Sequence, residues 1–359
     1  MSRLRVGIIF GGRSGEHEVS VISARSIIGA IDKSKYEVVP IGITKNGRWL
    51  SPAETKSLLD GEATEISKVS YENEGFGSAA GTLASALRGI DAAFPVVHGT
   101  FGEDGTLQGL LEMMDIPYVG AGVLASAVCM DKVFMKTIFR EEGLRTPSFE
   151  VFMRSDWEAN PGEVVKTVEG RCSYPCFVKP ANGGSSIGIS RVSSSAELRH
   201  ALDDAASWDR KLLVEEAIDA REIECSVLGN DAPEASVLGE IVAARDFYDY
   251  EAKYLSNDSK LIIPAQLPMD KAEEIRQLAI RAYRAVDCAG MGRVDFLVEK
   301  GSLTPYVSEI NTIPGFTSIS MYPKLWEASG LGYRRLIDSL IALALERYRD
   351  KRRSKAVPC

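Results

Sequence analysis

The sequence predicts an α/β protein that becomes α+β in parts. Three observations carry this reading. Short β-branched runs alternate with helical spacing over the first third, glycines close the strand ends, and strand-like pieces crowd together after Pro147.

Taken in order, Arg5–Phe10 is a β-branched run that stops at Gly11-Gly12. Glu18–Ile31 places Val19, Ile22, Ile27 and Ile31 at helical spacing. Glu37–Ile43 and Asp91–Val97 read as strands, and Thr106–Met114 as a helix. That order predicts a parallel sheet flanked by helices. Ser51–Leu87 is polar, rich in Gly and Ser, and weakly periodic, so it reads as variable connections. Val123–Glu142 reads as one long helix, stopped by Gly143 with Pro147 soon after. Strands are expected at Ser148–Met153, Cys176–Lys179, Ile187–Val192 and Lys211–Glu215, with a Gly/Ser loop, Asn182–Ser186, joining the middle two. Further strands are expected at Glu222–Leu228, Ser236–Ala243, Gly292–Val298 and Pro305–Ile310. Asp270–Val286 is an amphipathic helix, and Arg245–Ser259 has no period. Leu331–Tyr348 reads as a terminal helix and Arg349–Lys355 as a frayed basic tail.

Composition narrows the function classes. The 359 residues are 45% hydrophobic and 26% charged, with a net charge of −8. Such a chain is too apolar and varied for disorder. It has no apolar run of about 18 residues, so no membrane span is expected. The acidic balance argues against general nucleic-acid binding. The length fits two or three domains at about 100–200 residues each. The opening MSRLRVGIIFGG lacks the apolar core and cleavage site of a secretory signal. The six cysteines form no CxxC pair, and Cys172 and Cys176 have no partners to complete a zinc set. They read as buried thiols, and a cytoplasmic location is the expectation.

The most informative chemistry lies in GRVDFLV and VSEINTIPG. Residues two apart in a strand share a face, so Arg293 pairs with Asp295 and Glu309 with Asn311. If these strands are neighbours, two carboxylates and an amide converge. Such oxygen donors suit Mg²⁺, which fills its other positions with water and phosphate oxygens. Arg293 would stand beside them as a permanent cation for developing negative charge. A second signal, FVKPANGGSSIGIS, places Lys179 at a strand end before a loop whose N–H groups and hydroxyls could cradle phosphate. It lacks the P-loop order, and a flexible hairpin loop fits it equally. Lys132, on a predicted helix, is a possible second cation or a plain surface residue. The third, GGRSGEHEVS, follows the first strand but does not meet GxGxxG, which removes a nucleotide-dependent dehydrogenase. Its Glu16 could cap a helix or hold a substrate ammonium. His98, just past a strand end, sits where open α/β sheets place ligand groups, or is a structural residue.

Read together, GGRSGEHEVS, HGTFGEDGTLQGLLEMMDIPYVGAGVLASAVCMDK, FVKPANGGSSIGIS, FYDYEAKY, GRVDFLV and EINTIPGFTSISMYPKLW run in order from residue 11 to 326. This series resembles the D-alanine–D-alanine ligases of the ATP-grasp superfamily. The resemblance implies three domains: a Rossmann-like parallel-sheet domain over 1–122, a central subdomain over 123–215, and a C-terminal subdomain over 216–359 with a lid at 245–259. It implies ATP-dependent joining of two D-alanines through a D-alanyl phosphate, in the supply of peptidoglycan precursors. ATP is then a co-substrate, two Mg²⁺ ions (or Mn²⁺) are cofactors, and a homodimer is the expected assembly.

Carried over by position, the resemblance gives Glu16 the ammonium of the first D-alanine and puts His98 near its carboxylate. Lys132 and Lys179 reach ATP phosphates, and Ser185 and Ser186 head the glycine-rich loop, with Ser185 turned toward Glu16 and Tyr254. Glu215, Glu216 and Ile218 line the adenine hinge, Glu222 takes the ribose, and Lys253 reaches the transferred phosphate. Arg293 steadies the acyl phosphate and tetrahedral intermediate. Asp295, Glu309 and Asn311 hold the metal. Gly315 offers an N–H to the oxyanion, and Ser320 and Met321 orient the second D-alanine. The sequence Glu251-Ala252-Lys253-Tyr254 favours an amine nucleophile over D-lactate. Two departures from some members, Glu216 in the hinge and Met321, leave that activity in place. The alternatives are a D-alanine–D-lactate ligase and a non-catalytic nucleotide-binding protein of the same fold.

Overall fold

A computed structural model describes residues 3–61, 85–184, 187–242, 260–317 and 319–354. Three sheets organise them. The first has order β2-β1-β3 and is wholly parallel, built from β1 (Leu4–Gly11), β2 (Tyr36–Ile43) and β3 (Ala92–Pro95). The second, β4-β7-β5-β6, is antiparallel and uses β4 (Phe149–Met153), β5 (Cys176–Pro180), β6 (Ser190–Val192) and β7 (Lys211–Glu216). The third, β10-β9-β8-β11-β12, is also antiparallel, from β8 (Ala220–Gly229), β9 (Glu234–Val242), β10 (Lys260–Ile262), β11 (Gly290–Glu299) and β12 (Pro305–Asn311).

β1 is buried on both faces, which explains its unbroken apolar text. Val6, Ile8 and Phe10 enter a core shared with the helix Tyr333–Lys351, through Leu336, Ile337 and Leu340. Ile9 enters another, with Leu107, Leu111 and Tyr118. The terminal helix therefore closes the first sheet. Arg347 reinforces this by donating to the Tyr118 carbonyl at 3.0 Å. In β11 the alternation is equally plain: Val294, Phe296 and Val298 are in the core, leaving Arg293 and Asp295 on the opposite face.

Several expectations are corrected. The predicted long helix is two, Val123–Met130 and Lys132–Glu141. Asp131 lies between them in extended backbone (φ −90°, ψ 100°), and its carboxylate accepts the N–H groups of Val133 and Phe134 at 3.0 and 3.2 Å. This cap satisfies amides that a continuous helix would bond elsewhere. The basic tail is not frayed at Arg349, because the helix runs to Lys351, whose ammonium pairs with Glu112. Part of the supposed variable stretch is the helix Pro52–Asp60, opened by a Ser51/Glu54 capping box. The expected strand from Ile187 begins only at Ser190. Cys129, Cys172, Cys176, Cys225 and Cys288 are buried free thiols, as read from the sequence, and Cys359 lies outside the described residues. Among the described residues, no helix is long and apolar enough to cross a membrane.

Candidate active site

The three sheets leave a cleft of about 1400 Å³. Every expected site residue that is described lines it, from Glu16 and His98 to Ser320 and Met321. Ser185, Ser186, Lys253 and Tyr254, with the lid at 245–259, lie outside the described residues.

β11 and β12 pair antiparallel, with Arg293 opposite Asn311 and Asp295 opposite Glu309. The bulge after Asp295 shifts register only beyond these pairs. Arg293 grips Asp295 with two bonds, Nε to Oδ1 and Nη2 to Oδ2, both 2.7 Å. Asn311 Nδ2 adds a bond to Asp295 Oδ2 at 3.1 Å. The carboxylate of Glu224, directly opposite Asp295 on β8, meets Arg293 Nε at 3.0 Å. Among the described residues, no group of three or more His, Cys, Asp or Glu is arranged to hold a metal by itself. Two facing carboxylates plus an amide fit a different case, Mg²⁺ shared with phosphate oxygens and water.

Glu16 and His98 come from the ends of β1 and β3. The chain leaves β1 through Gly11 and Gly12, with φ of 87° and 99°. A Cβ on Gly11 would stand 2.0 Å from the Ile43 carbonyl oxygen, so only glycine passes there. Glu16 occupies the N-cap position of the helix His17–Ala30, yet its side chain makes no cap bond. It is buried, close to Gly99 and Gly184. The capping alternative is thereby overturned. His98 is also buried, and its Nδ1 lies 3.0 Å from the Ile313 carbonyl oxygen. Burial pushes the imidazole pKa down, despite the opposing pull of Glu16. The neutral ring donates from Nδ1, and Nε2 has no hydrogen-bond partner among the described residues.

At the far end, Lys132 Nζ donates to the Gly183 carbonyl at 2.8 Å, and Lys179 pairs with Glu215 at 3.1 Å. The Glu216 side chain accepts the Ser148 N–H at 2.7 Å. Its backbone N–H in turn donates to the Ser148 carbonyl at 3.0 Å, so Glu216 is tied twice to the residue before β4. Ser320 Oγ accepts the Thr317 N–H at 3.0 Å, in the turn that follows Gly315.

The D-ala D-ala ligase N-terminus profile matches residues 5–121, and the D-ala D-ala ligase C-terminus profile matches residues 138–342. The chain belongs to the D-alanine–D-alanine ligase family. It is 53% identical over 365 residues to a D-alanine–D-alanine ligase from Thermoanaerobacter sp. (strain X514), covering 98% of this chain and 99% of that one. Two solved structures show the same fold at TM-scores of 0.81 and 0.74. One is the VanG D-Ala:D-Ser ligase from Enterococcus faecalis, at 35% identity over 96% of this chain and 100% of that one. The other is the Bacillus anthracis D-alanine–D-alanine ligase complexed with ATP, at 31% identity over 98% and 100%. The three-domain ATP-grasp architecture expected of the family is therefore this protein's fold.

Sequence reasoning missed three charged residues of this family member. Glu224 holds Arg293, Lys136 pairs with Glu215, and Glu103 is a half-buried carboxylate in the cleft. Burial, with Glu16 nearby, raises the Glu103 carboxyl to about 8. It accepts the N–H groups of Gly99 at 2.6 Å and Ile313 at 3.2 Å. Glu224 was detectable by strand parity, since it shares a face with Glu222. The other two announce nothing in sequence.

Proposed function

We propose that this protein joins two D-alanines into D-alanyl-D-alanine at the expense of ATP, releasing ADP and phosphate for peptidoglycan precursor synthesis. One observation carries the reading: Arg293, Asp295, Glu309 and Asn311 share a single cleft with the buried Glu16 and His98.

A carboxylate is a poor acyl donor because oxide leaves badly. Transfer of a phosphoryl group from ATP to the first D-alanine supplies a good leaving group. The amine of the second D-alanine then attacks, and phosphate departs. Little covalent work is left for the protein, so positioning and charge stabilisation dominate. Glu16 pairs with the first ammonium, and His98 lies near its carboxylate. Lys132 and Lys179 meet the ATP phosphates, with Ser185, Ser186 and Lys253 completing the phosphate side. Glu215, Glu216 and Ile218 line the adenine hinge, and Glu222 takes the ribose. Arg293 balances charge on the acyl phosphate and tetrahedral oxyanion, helped by the Gly315 N–H. Ser320, Met321 and Tyr254 orient the second D-alanine.

Asp295, Glu309 and Asn311 would hold two Mg²⁺ ions, with Mn²⁺ as a substitute. When bound, such ions supply charge neutralisation of phosphate oxygens. The division into 1–122, 123–215 and 216–359, a homodimer and a cytoplasmic location belong to the same reading.

ADP release tests it, with D-alanine against L-alanine, with and without Mg²⁺. Product analysis with D-serine and D-lactate as competing nucleophiles fixes the acceptor. A preference for D-lactate near neutral pH would overturn the amine assignment. Glu16→Gln should weaken the first D-alanine far more than ATP, and equal losses would contradict the role of Glu16.

A further inference from the structure

Lys136 is a buried cation with no place in the chemistry above. It lies within the helix Lys132–Glu141, is 1% exposed and does not line the cleft. Its Nζ stands 3.1 Å from Glu215 Oε2, while Lys179 Nζ stands 3.1 Å from Glu215 Oε1. One buried carboxylate therefore carries two ammonium groups. Burial pulls the Lys136 ammonium down from the ordinary lysine range. It pushes the Glu215 carboxyl up, but the two lysines outweigh it and hold that carboxyl below its usual range. The lysines differ in access, since Lys179 lines the cleft and Lys136 does not.

We propose that Lys136 is a positioning residue that keeps Glu215 neutralised when Lys179 turns from it to the phosphates of a bound nucleotide. The proposal rests on the ATP reading given above. A buried carboxylate stripped of its cations is strongly unfavourable. If Lys179 were the only partner of Glu215, each nucleotide bound would leave such a carboxylate behind. With Lys136 in place, the pair Lys136–Glu215 stays balanced, and Lys179 is an extra charge available to the ligand. The surplus cation faces the side from which the phosphates enter.

The test uses the full chain, titrated calorimetrically with ATP and Mg²⁺, and steady-state kinetics. Lys136→Met keeps most of the side-chain length and removes the charge. It should weaken ATP binding about tenfold to a hundredfold. The KM for ATP should rise with it, while the KM for D-alanine stays within about twofold, a split that general loosening of the fold would not give. Adding Glu215→Gln removes the carboxylate that Lys179 would otherwise be pinned to. The double variant should bind ATP within about threefold of Glu215→Gln alone. ATP binding by Lys136→Met within about twofold of the parent protein overturns the proposal. So does a double variant as weak as Lys136→Met. If Lys136→Met does not fold, the double variant decides by the same comparison. If that also fails to fold, Lys136 serves the core independently of Glu215 and the proposal is overturned. Failure of the unaltered protein to bind ATP is a separate result that removes the ATP reading itself.

Discussion

Arg293 occupies both oxygens of Asp295, through two bonds of 2.7 Å across one strand face. The same guanidinium reaches Glu224 at 3.0 Å. Arg293 is thus anchored from two sides. A metal ion held at Asp295 would take up that carboxylate's charge, and Glu224 would remain to aim the guanidinium.

Arg293→Ala should keep ATP binding and lower kcat by about 10²–10³-fold, because its charge is needed as oxyanion charge develops. Arg293→Lys should not restore the rate, since an ammonium cannot reproduce the planar two-bond contact. Single-turnover kinetics beside nucleotide titration checks both, and near-parental kcat in Arg293→Ala would take this residue out of the mechanism.

Chelation with EDTA should abolish turnover, and added Mg²⁺ should restore it. Glu309→Gln removes one of the facing carboxylates. The Mg²⁺ concentration for half-maximal rate should then rise about tenfold or more. An unchanged requirement would place the ions elsewhere.

Gly315→Ala tests the turn before the helix Met321–Ala328. A Cβ there would stand 2.8 Å from Ser320 Oγ, which the Thr317 N–H already holds at 3.0 Å. Ser320 and the peptide at Gly315 must shift. We expect kcat to fall by about 10²-fold with ATP affinity unchanged. A parental rate would show that the turn absorbs the methyl group.

Glu54 gives a prediction in pH. Arg48 donates to its carboxylate at 2.8 Å and, with Ser51, holds the pKa down to about 2. A carboxyl lowered on folding contributes stability that is present above its ordinary value of 4.5. That contribution is lost as pH falls toward about 2. Glu54→Gln should therefore cost about 1 kcal/mol near neutral pH. The difference should shrink to a small fraction in melts run at about pH 2, and an undiminished gap there would remove the ionic cause.

Much of this was legible in the chain. The parity of Arg293 with Asp295, and of Glu309 with Asn311, follows from strand geometry alone. Their meeting required only that two strands be neighbours, which they are. The parallel sheet was equally readable from β1, because burial on both faces leaves an unbroken apolar run. The break at Asp131 was not. Helical spacing continues through it, and what decides is a tertiary contact: Lys211 Nζ reaches Asp131 at 2.5 Å from another strand. Lys136 looked like any helix lysine, because its burial depends on a carboxylate 79 residues away in sequence.

The backbone of Ile313 is held on both its polar atoms, by His98 on the oxygen and Glu103 on the nitrogen. His98 and Ile313 are 215 residues apart in sequence. The backbone of one residue thus acts as a caliper between walls of the cavity. The gap that two small amino acids must bridge is gauged through space, so insertions or deletions in the connecting chain can come and go without altering it.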